Sequence, residues 1–443
     1  MDASLTDTAR RIVSRLQEAG FQAYWVGGCV RDRLLGLEPK DYDIATSALP
    51  DQVRALFPRA GLVGAHFGVV LARMGGRDFE IATFRGEGGY EDHRHPSEVV
   101  FGDLERDAQR RDFTINALYL DPIEDRLVDL VDGRSDLERR ILRAIGDPSK
   151  RFEEDALRLI RAARFAARFN LEIEPLTAAA IREKAGLITM VSPERVRDEL
   201  LLILTGPQPG RGLTLLSEHG LLARVLPEVE AMRGVEQPPE FHPEGDVFTH
   251  TLLALEALDK PSAVLAMAAL LHDVGKPPTF SREPDRVRFH EHATVGAQMA
   301  DAILRRLRFS NHDRERIVEL VRRHMTFMDI QRMKDSTLRR FMAAPNFDDD
   351  LALHRADCLA CHGDTDNLRY VDEMRGRFER EAAAILPPPL VNGADLIEMG
   401  LEPGPLFGEI LKRAQDLQLE GELADRKQAL KWVKLEYGGR KRT

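Results

Sequence analysis

The chain is poor in cysteine, aromatic residues, lysine and long apolar runs, and each shortage excludes something. Three cysteines in 443 residues, Cys29, Cys358 and Cys361, cannot build a disulfide framework. No apolar run approaches the ~18 residues of a membrane span, and residues 1–20 read as an amphipathic helix without the apolar centre of an export signal. A soluble cytoplasmic protein is therefore expected, with no membrane partner. Only 11 of the 63 basic residues are lysine. The remaining arginines suit bidentate phosphate recognition, although a GC-rich genome gives the same bias. A net charge of −10 and a pI near 5.8 exclude a wholly basic nucleic-acid binder and leave a local basic surface open. With 43% hydrophobic residues the chain can fill sizeable cores, and its length suggests about three domains.

The most informative pattern is Asp41 and Asp43, two positions apart, just after Gly27-Gly28-Cys29-Val30-Arg31-Asp32. Residues 41–45 read as a short strand, which puts i and i+2 on one face. Two carboxylates there repel each other unless a divalent cation stands between them. Mg²⁺ is commonly held by one or two carboxylates plus substrate phosphates. Upstream, 21–26 reads as a buried strand running into Gly27-Gly28, with a short helix over 30–35. Glycines at that junction let main-chain N–H groups approach phosphate. Either half alone is as often a turn or a solvated loop; together they point to nucleotidyl or phosphoryl transfer.

Further segments follow in order: Arg110-Arg111-Asp112-Phe113-Thr114-Ile115-Asn116-Ala117, Arg151-Phe152-Glu153-Glu154-Asp155-Ala156-Leu157-Arg158, and Ser192-Pro193-Glu194-Arg195. With the two opening motifs, they make roughly the first 230 residues resemble the class II tRNA nucleotidyltransferases, the CCA-adding enzymes and their bacterial poly(A) polymerase relatives. The resemblance implies that Asp41 and Asp43 are catalytic and hold Mg²⁺. It also implies that Gly27, Gly28 and Arg31 contact the triphosphate, and that Arg111, Asp112, Asn116, Glu154, Asp155, Arg158 and Arg161 belong to the nucleotide site. Asp112 has a plainer reading as a helix-start residue. Glu80, in a hairpin expected over 69–84, is either a third carboxylate or a solvent-facing strand residue.

Asp155 and Arg158, read as i and i+3 on a helix, offer an acceptor and a donor fork side by side. A carboxylate accepts from the amino group of cytosine or adenine, and arginine donates to ring acceptors. Such a pair would accept CTP and ATP and reject GTP and UTP; the alternative is an ordinary surface ion pair. Arg161, Arg164 and Arg168 form a basic stripe facing triphosphate or tRNA, or else a solvated face. The polar stretch 86–110, with Tyr90, Asp92, Arg94 and His95, corresponds to the loop the family uses in switching from C to A addition.

The expected fold class is α+β: a small nucleotidyltransferase head with a mixed β-sheet (1–148), then all-α parts. These are a neck and body (149–235), a second domain (240–365) and a tail (366–443). Strand signals stop after Pro148. Ten of the 13 histidines fall between 219 and 362. The set His250, His272-Asp273, His292, His324 and Asp357 resembles an HD-domain site for two metal ions. Imidazole and carboxylate suit Mn, Ni, Co, Fe or Zn, and two ions can activate water against a phosphoester, with Lys276 holding phosphate. Taken singly, each histidine is more often an unrelated core or surface position. Cys358-Leu359-Ala360-Cys361-His362 matches a haem-attachment pattern, but the chain shows no export signal and the segment reads as helix, so that reading is rejected. The tail from 425 carries seven basic residues against two acidic ones, for tRNA contact or as a solvated end. The expected activity is addition of C, C and A to tRNA 3′ ends from CTP and ATP. The alternatives are an A-adding, CC-adding or poly(A) enzyme, or an HD phosphohydrolase whose head only binds RNA. The sequence sets no oligomeric state.

Overall fold

The alternating apolar runs of the first 130 residues assemble into one seven-stranded mixed sheet in the computed structural model, which describes residues 4–58, 60–62, 68–86, 101–240, 242–361, 363–381 and 384–438. Its strands are β1 Ala23–Val26, β2 Asp43–Thr46, β3 Gly61–Leu62, β4 Val69–Met74, β5 Arg77–Thr83, β6 Leu118–Asp121 and β7 Arg126–Asp129. Their order is β3-β4-β5-β2-β1-β6-β7, with β2 and β5 parallel and every other pair antiparallel. Gly75 and Gly76 both take positive φ, which closes the tight β4–β5 hairpin. The helix Leu5–Glu18, capped by Ser4, buries Ala9, Ile12, Val13 and Leu16. Tyr24, Val26, Ala45, Phe84, Tyr119 and Ile145 form a head cluster.

The strand predicted over 41–45 begins at Asp43, so Asp41 precedes it. The alternation nevertheless holds: Asp41 and Asp43 are exposed, and Tyr42 and Ile44 are buried. Tyr90, Asp92, Arg94 and His95 lie outside the described residues, as do His362 and 439–443.

The chain divides into two compact units, Met1–Glu230 with Arg306–Arg308, and Ala231–Arg305 with Phe309–Thr443. In the first, the helix Arg158–Phe169 packs between Pro193–Leu204 and Pro209–Glu218. It buries Leu159, Ile160, Ala162, Ala163 and Ala166 together with Arg164, while Arg158 and Arg161 are half-buried and Arg168 is exposed.

In the second unit the helix Val247–Glu256 packs on Phe347–Ala360, and Ala263–Leu271 on Asn311–Arg323. One core gathers Phe327, Phe341, Phe347 and Phe378, and another Leu396, Ile410, Leu417 and Val433. Short strands do occur beyond Pro148, contrary to expectation. Glu172–Ile173 pairs with Ile141–Leu142, and Phe280–Arg282 forms a hairpin with Val287–Phe289. Two or three residues are too few for a period-two signal to register.

Gly275 marks the tightest approach in the second unit. A Cβ there would lie 2.1 Å from the His292 carbonyl oxygen and 2.6 Å from Gly296 N. Gly275→Ala should therefore cost about 3 kcal/mol in this unit. A urea titration of the full chain should show its transition at a lower midpoint, and an unchanged midpoint would refute the packing argument.

Candidate functional site

The head site starts from the turn between β1 and the helix Gly28–Leu34. Gly27 takes φ +72°, and a Cβ there would sit 3.3 Å from Arg111 Nη1, so the turn and the close approach both call for glycine. Gly27, Gly28, Arg31, Asp41, Asp43, Arg111, Asp112, Asn116, Asp155, Arg158 and Arg161 line one cavity of about 550 Å³. Of the nucleotide-site residues expected from sequence, Glu154 alone is not on its wall. In all, eight arginines and four aspartates line it, giving the excess positive charge a triphosphate requires.

Asp112 holds this wall together. Its Oδ1 accepts from Phe113 N at 2.8 Å and Asn116 Nδ2 at 3.0 Å, and its Oδ2 from Arg161 Nη2 at 2.6 Å and Nε at 3.0 Å. Burial alone would raise its pKa; Arg161 and Asn116 hold it at about 2. Arg111 and Asp112 lie in a turn between the helix Leu104–Gln109 and the short helix Thr114–Asn116, not at the helix start that was expected. Asn116 Oδ1 accepts from Arg31 Nη1 at 2.5 Å. Arg31 also stacks 4.2 Å from the Phe169 ring centroid.

The expected helical pairing of Asp155 with Arg158 needs correction. The helix Pro148–Glu154 ends at Glu154, Asp155 is extended, and the next helix begins at Arg158. Asp155 accepts from Leu157 N at 3.1 Å, and this local bond favours the break. Arg195 Nη2 grips both Asp155 oxygens, at 3.0 and 2.8 Å. Arg158 instead pairs with Glu154 at 2.7 Å and donates to the Arg110 carbonyl at 3.0 Å. Both residues still face the cavity, delivered by a helix break rather than by helical spacing. Glu154 is thus the partner that orients Arg158. The arginine stripe also divides: Arg164 is neutralised by buried Glu199 at 2.5 Å, whereas Arg168 has a 3.4 Å contact with Asp32. Arg110 and Phe165 join the wall without having been assigned to it, and Arg164 and Arg168 of the expected stripe reach it as well.

Asp41 and Asp43 line a second cavity of about 550 Å³ as well, together with Lys40 and Glu80. The parallel register Ile44↔Ile81 sets Glu80 beside Asp43. Among the described residues no side chain forms an ion pair with Asp41, Asp43 or Glu80. Burial, then Asp41 and Glu80, push the Asp43 carboxyl up to about 6, with Arg111 opposing. Three carboxylates without a cationic partner form a donor set that fits a hard divalent ion such as Mg²⁺.

The second unit gathers the histidines as the resemblance implied. His272 Nε2 lies 3.3 Å from His250 Nε2 and 3.3 Å from Asp273 Oδ2, and His250 Nε2 lies 2.9 Å from Asp357 Oδ1. His292 and His324 stand 3.1 Å apart, and 3.6 and 3.8 Å from Asp273 Oδ1. Asp273 thus belongs to two converging groups, with His250 and His272 on one side and His292 and His324 on the other. The Nδ1 atoms of His272, His292 and His324 face the carbonyls of Ala269, Phe289 and Val321, each three residues earlier, at 2.7–2.9 Å. This fixes the tautomer and leaves Nε2 for an ion. Burial, then His272, depress the His324 pKa to about 4. Burial would raise Asp273, yet Lys276 and His272 hold it well below the usual carboxylate range. Lys276 Nζ lies 2.6 Å from Asp273 and 2.7 Å from Gln237, a partner with no local sequence signal. The donors fit two divalent ions. His292, His324, Asp273, Lys276 and Asp357 face a cavity of about 540 Å³, whose wall includes Val287 and Phe289 of the hairpin.

Comparison with known proteins gives three family matches: the poly(A) polymerase head domain over residues 23–143, the probable RNA- and SrmB-binding site of polymerase A over 170–233, and the HD domain over 246–360. The chain is 36% identical over 430 residues to an A-adding tRNA nucleotidyltransferase of Deinococcus radiodurans, covering 92% of this chain and 94% of that one. It is 33% identical over 426 residues to a CCA-adding enzyme of Levilactobacillus brevis, covering 96% of each. Matches to several other CCA-adding enzymes span about half of those proteins' length. The crystal structure of the Bacillus stearothermophilus CCA-adding enzyme in complex with CTP superposes with a TM-score of 0.74 at 29% identity, covering 97% of each chain. Among the described residues no helix is long and apolar enough to cross a membrane.

The raised Asp43 pKa carries a stability consequence. Between the ordinary carboxylate pKa of 3.8 and about 6 the folded state holds a proton that the unfolded state has lost, so its cost grows across that window and is full above it. In chelator, Asp43→Asn should unfold about 2 °C higher than the parent at pH 7, and the gain should vanish near pH 4. Mg²⁺ should stabilise the parent and not the variant. A gain independent of pH would refute the repulsion.

Proposed function

Since the chain belongs to the tRNA nucleotidyltransferase family of CCA-adding and A-adding enzymes, we propose that it adds C, C and A to tRNA 3′ ends from CTP and ATP without a nucleic-acid template. The observation that carries this reading is the position of Asp41 and Asp43 on the walls of both an arginine-rich cavity and a second cavity beside Glu80. The first suits the nucleoside triphosphate, and the second the incoming RNA end. A divalent ion such as Mg²⁺ held by Asp41 and Asp43 would favour the 3′-oxygen as nucleophile and neutralise the triphosphate. Glu80 is the third carboxylate of that set. The main chain at Gly27 and Gly28, with Arg111, cradles phosphate; Arg31 reaches the same wall and is steadied by Asn116.

Base choice falls to Asp155 and Arg158. A carboxylate acceptor and a guanidinium donor suit the amino group and neighbouring ring nitrogen that cytosine and adenine share. Arg195 steadies Asp155 from one side, and Glu154 steadies Arg158 from the other. We divide the chain at 1–148, 149–235, 240–365 and 366–443, the three matched segments supporting the first three parts, and read it as a cytoplasmic enzyme acting on tRNA. The HD site is proposed as a phosphohydrolase centre for 2′,3′-cyclic nucleotides and phosphomonoesters, with Mn, Ni, Co, Fe or Zn as its ions. The paired groups about Asp273 support that reading.

The decisive assay supplies purified protein and Mg²⁺ with tRNAs ending at the discriminator base, at C and at CC, and sequences the products. CCA on all three is expected. Addition of A alone would give the activity named for the Deinococcus relative, and no addition would overturn the reading of the head. Asp41→Ala with Asp43→Ala should abolish transfer and leave metal-dependent hydrolysis intact. Asp155→Ala and Arg195→Ala should each lower kcat/KM for CTP by about 10–100-fold and relax rejection of GTP and UTP. Full discrimination in Asp155→Ala would remove this residue from base choice.

A further inference from the structure

His250 departs from the other three histidines around Asp273. Its Nδ1 does not face a main-chain carbonyl. Nε2 lies 2.9 Å from Asp357, while Nδ1 turns the opposite way, 2.7 Å from Glu244 Oε1. On that far side donor atoms from three segments converge. His242 Nδ1 lies 2.9 Å from the same Glu244 oxygen. Cys361 Sγ, at the end of the helix Phe347–Ala360, lies 3.4 Å from His242 Nδ1 and 3.6 Å from His250 Nδ1. The four donor atoms fall within 4.8 Å of one another.

We propose that His242, Glu244, Cys361 and Nδ1 of His250 form a third metal site, for an ion of the Zn²⁺ class, joined to the Asp273 centre through the His250 ring. Tetrahedral zinc with thiolate and imidazole ligands sets S and N about 3.6 Å apart, and the two observed S···N separations match that spacing. The N···O separations are shorter because a ring proton now stands where the ion would be. Binding displaces the Cys361 thiol proton and the Nδ1 proton of His250, while His242 moves its proton to Nε2. Glu244 supplies a second observation. Its side chain is only 6% exposed, and its Oε2 is buried without a hydrogen-bond partner, so a carboxylate oxygen stands ready for a ligand. Were Glu244 merely orienting His250, neither that oxygen nor the thiol beside two imidazoles would have a role.

The thiolate makes this site softer than the nitrogen and oxygen donors about Asp273, so it favours zinc or cobalt over manganese or magnesium. His242 and Cys361 also line the cavity that the Asp273 centre faces, which gives an ion a route in. Cys358, the other cysteine of the C-x-x-C segment, faces His354 at 3.6 Å and takes no part.

The test is a Co²⁺ titration of the metal-stripped full-length chain under reducing conditions. About one equivalent should raise a near-ultraviolet thiolate-to-cobalt charge-transfer band. Cys361→Ala should lose the band and His242→Ala should weaken it, whereas Cys358→Ala should keep it. Zinc bound to the parent, measured by elemental analysis, should fall by about one per chain in Cys361→Ala. Cys361→Ser provides a second variant should the alanine form fail to fold, as judged by circular dichroism without metal. A parent whose cobalt shows only ligand-field bands would overturn the assignment. So would a charge-transfer band that survives both Cys361 variants or depends on Cys358.

Discussion

The Asp112 carboxylate is the constraint on which the arginine-lined cavity of the head depends. It takes four hydrogen bonds from three directions: its own turn, Asn116, and the fork of Arg161 on a helix 49 residues later. Through Asn116 it fixes Arg31. Through Arg161 it reaches Glu199, which in turn neutralises Arg164. A charged group this buried is tolerated only because every lone pair is used. The network ties the sheet-bearing head to the helical segment behind it, so that glycine turn, aspartates and arginines share one wall. Removing the carboxylate would leave Arg161 to its longer 3.5 Å contact with Glu199, in a site already crowded with positive charge.

The carboxylate cluster of the head and the histidine cluster of the second unit rest on opposite electrostatic arrangements. In the head, Asp41 stands just before the strand and Asp43 begins it; both keep some surface in water, but the Asp43 carboxyl is desolvated by its surroundings and crowded by Asp41 and Glu80. In the second unit the donors are buried, and the cost of burial is offset locally. Asp273 has Lys276, and three imidazoles have carbonyls one turn back. The Ala269 and Val321 carbonyls are available because they lie in the last turns of their helices, where main-chain oxygens lack their usual partners, while the Phe289 carbonyl lies just ahead of the helix that His292 starts. The ring orientation is thus written into the ends of the helices themselves.

What was legible in the sequence follows from what acts locally. The Gly27-Gly28 turn, the i, i+2 aspartates, the hairpin at Gly75-Gly76 and the His-Asp step at a helix end all depend on neighbours within a few residues. Each emerges near where it was expected. The misreadings involve partners that are distant or elements that are short. Asp155 and Arg158 were read as a helical pair because the helix break depends on one capping bond to Leu157 N, and Asp155's true partner, Arg195, lies 40 residues on. The hairpin over Phe280–Arg282 and Val287–Phe289 is too short to impose a period. Glu244 and Gln237 carry no motif at all, since their chemistry comes from the side chains they meet.

The helix break at Asp155 shows how two residues on one cavity wall, proposed above to read the base, need not follow helical spacing. On a continuous helix, residues i and i+3 project in nearly the same direction and their separation is fixed. An extended residue at Asp155 frees its carboxylate to turn toward Arg195, while Arg158 starts a new helix held by Glu154 and the Arg110 carbonyl. Each half of the pair is then oriented by its own partner rather than by the other. Each charge is already partnered, Asp155 by Arg195 and Arg158 by Glu154, so a ligand in the cavity meets an acceptor and a donor fork whose directions are set in advance.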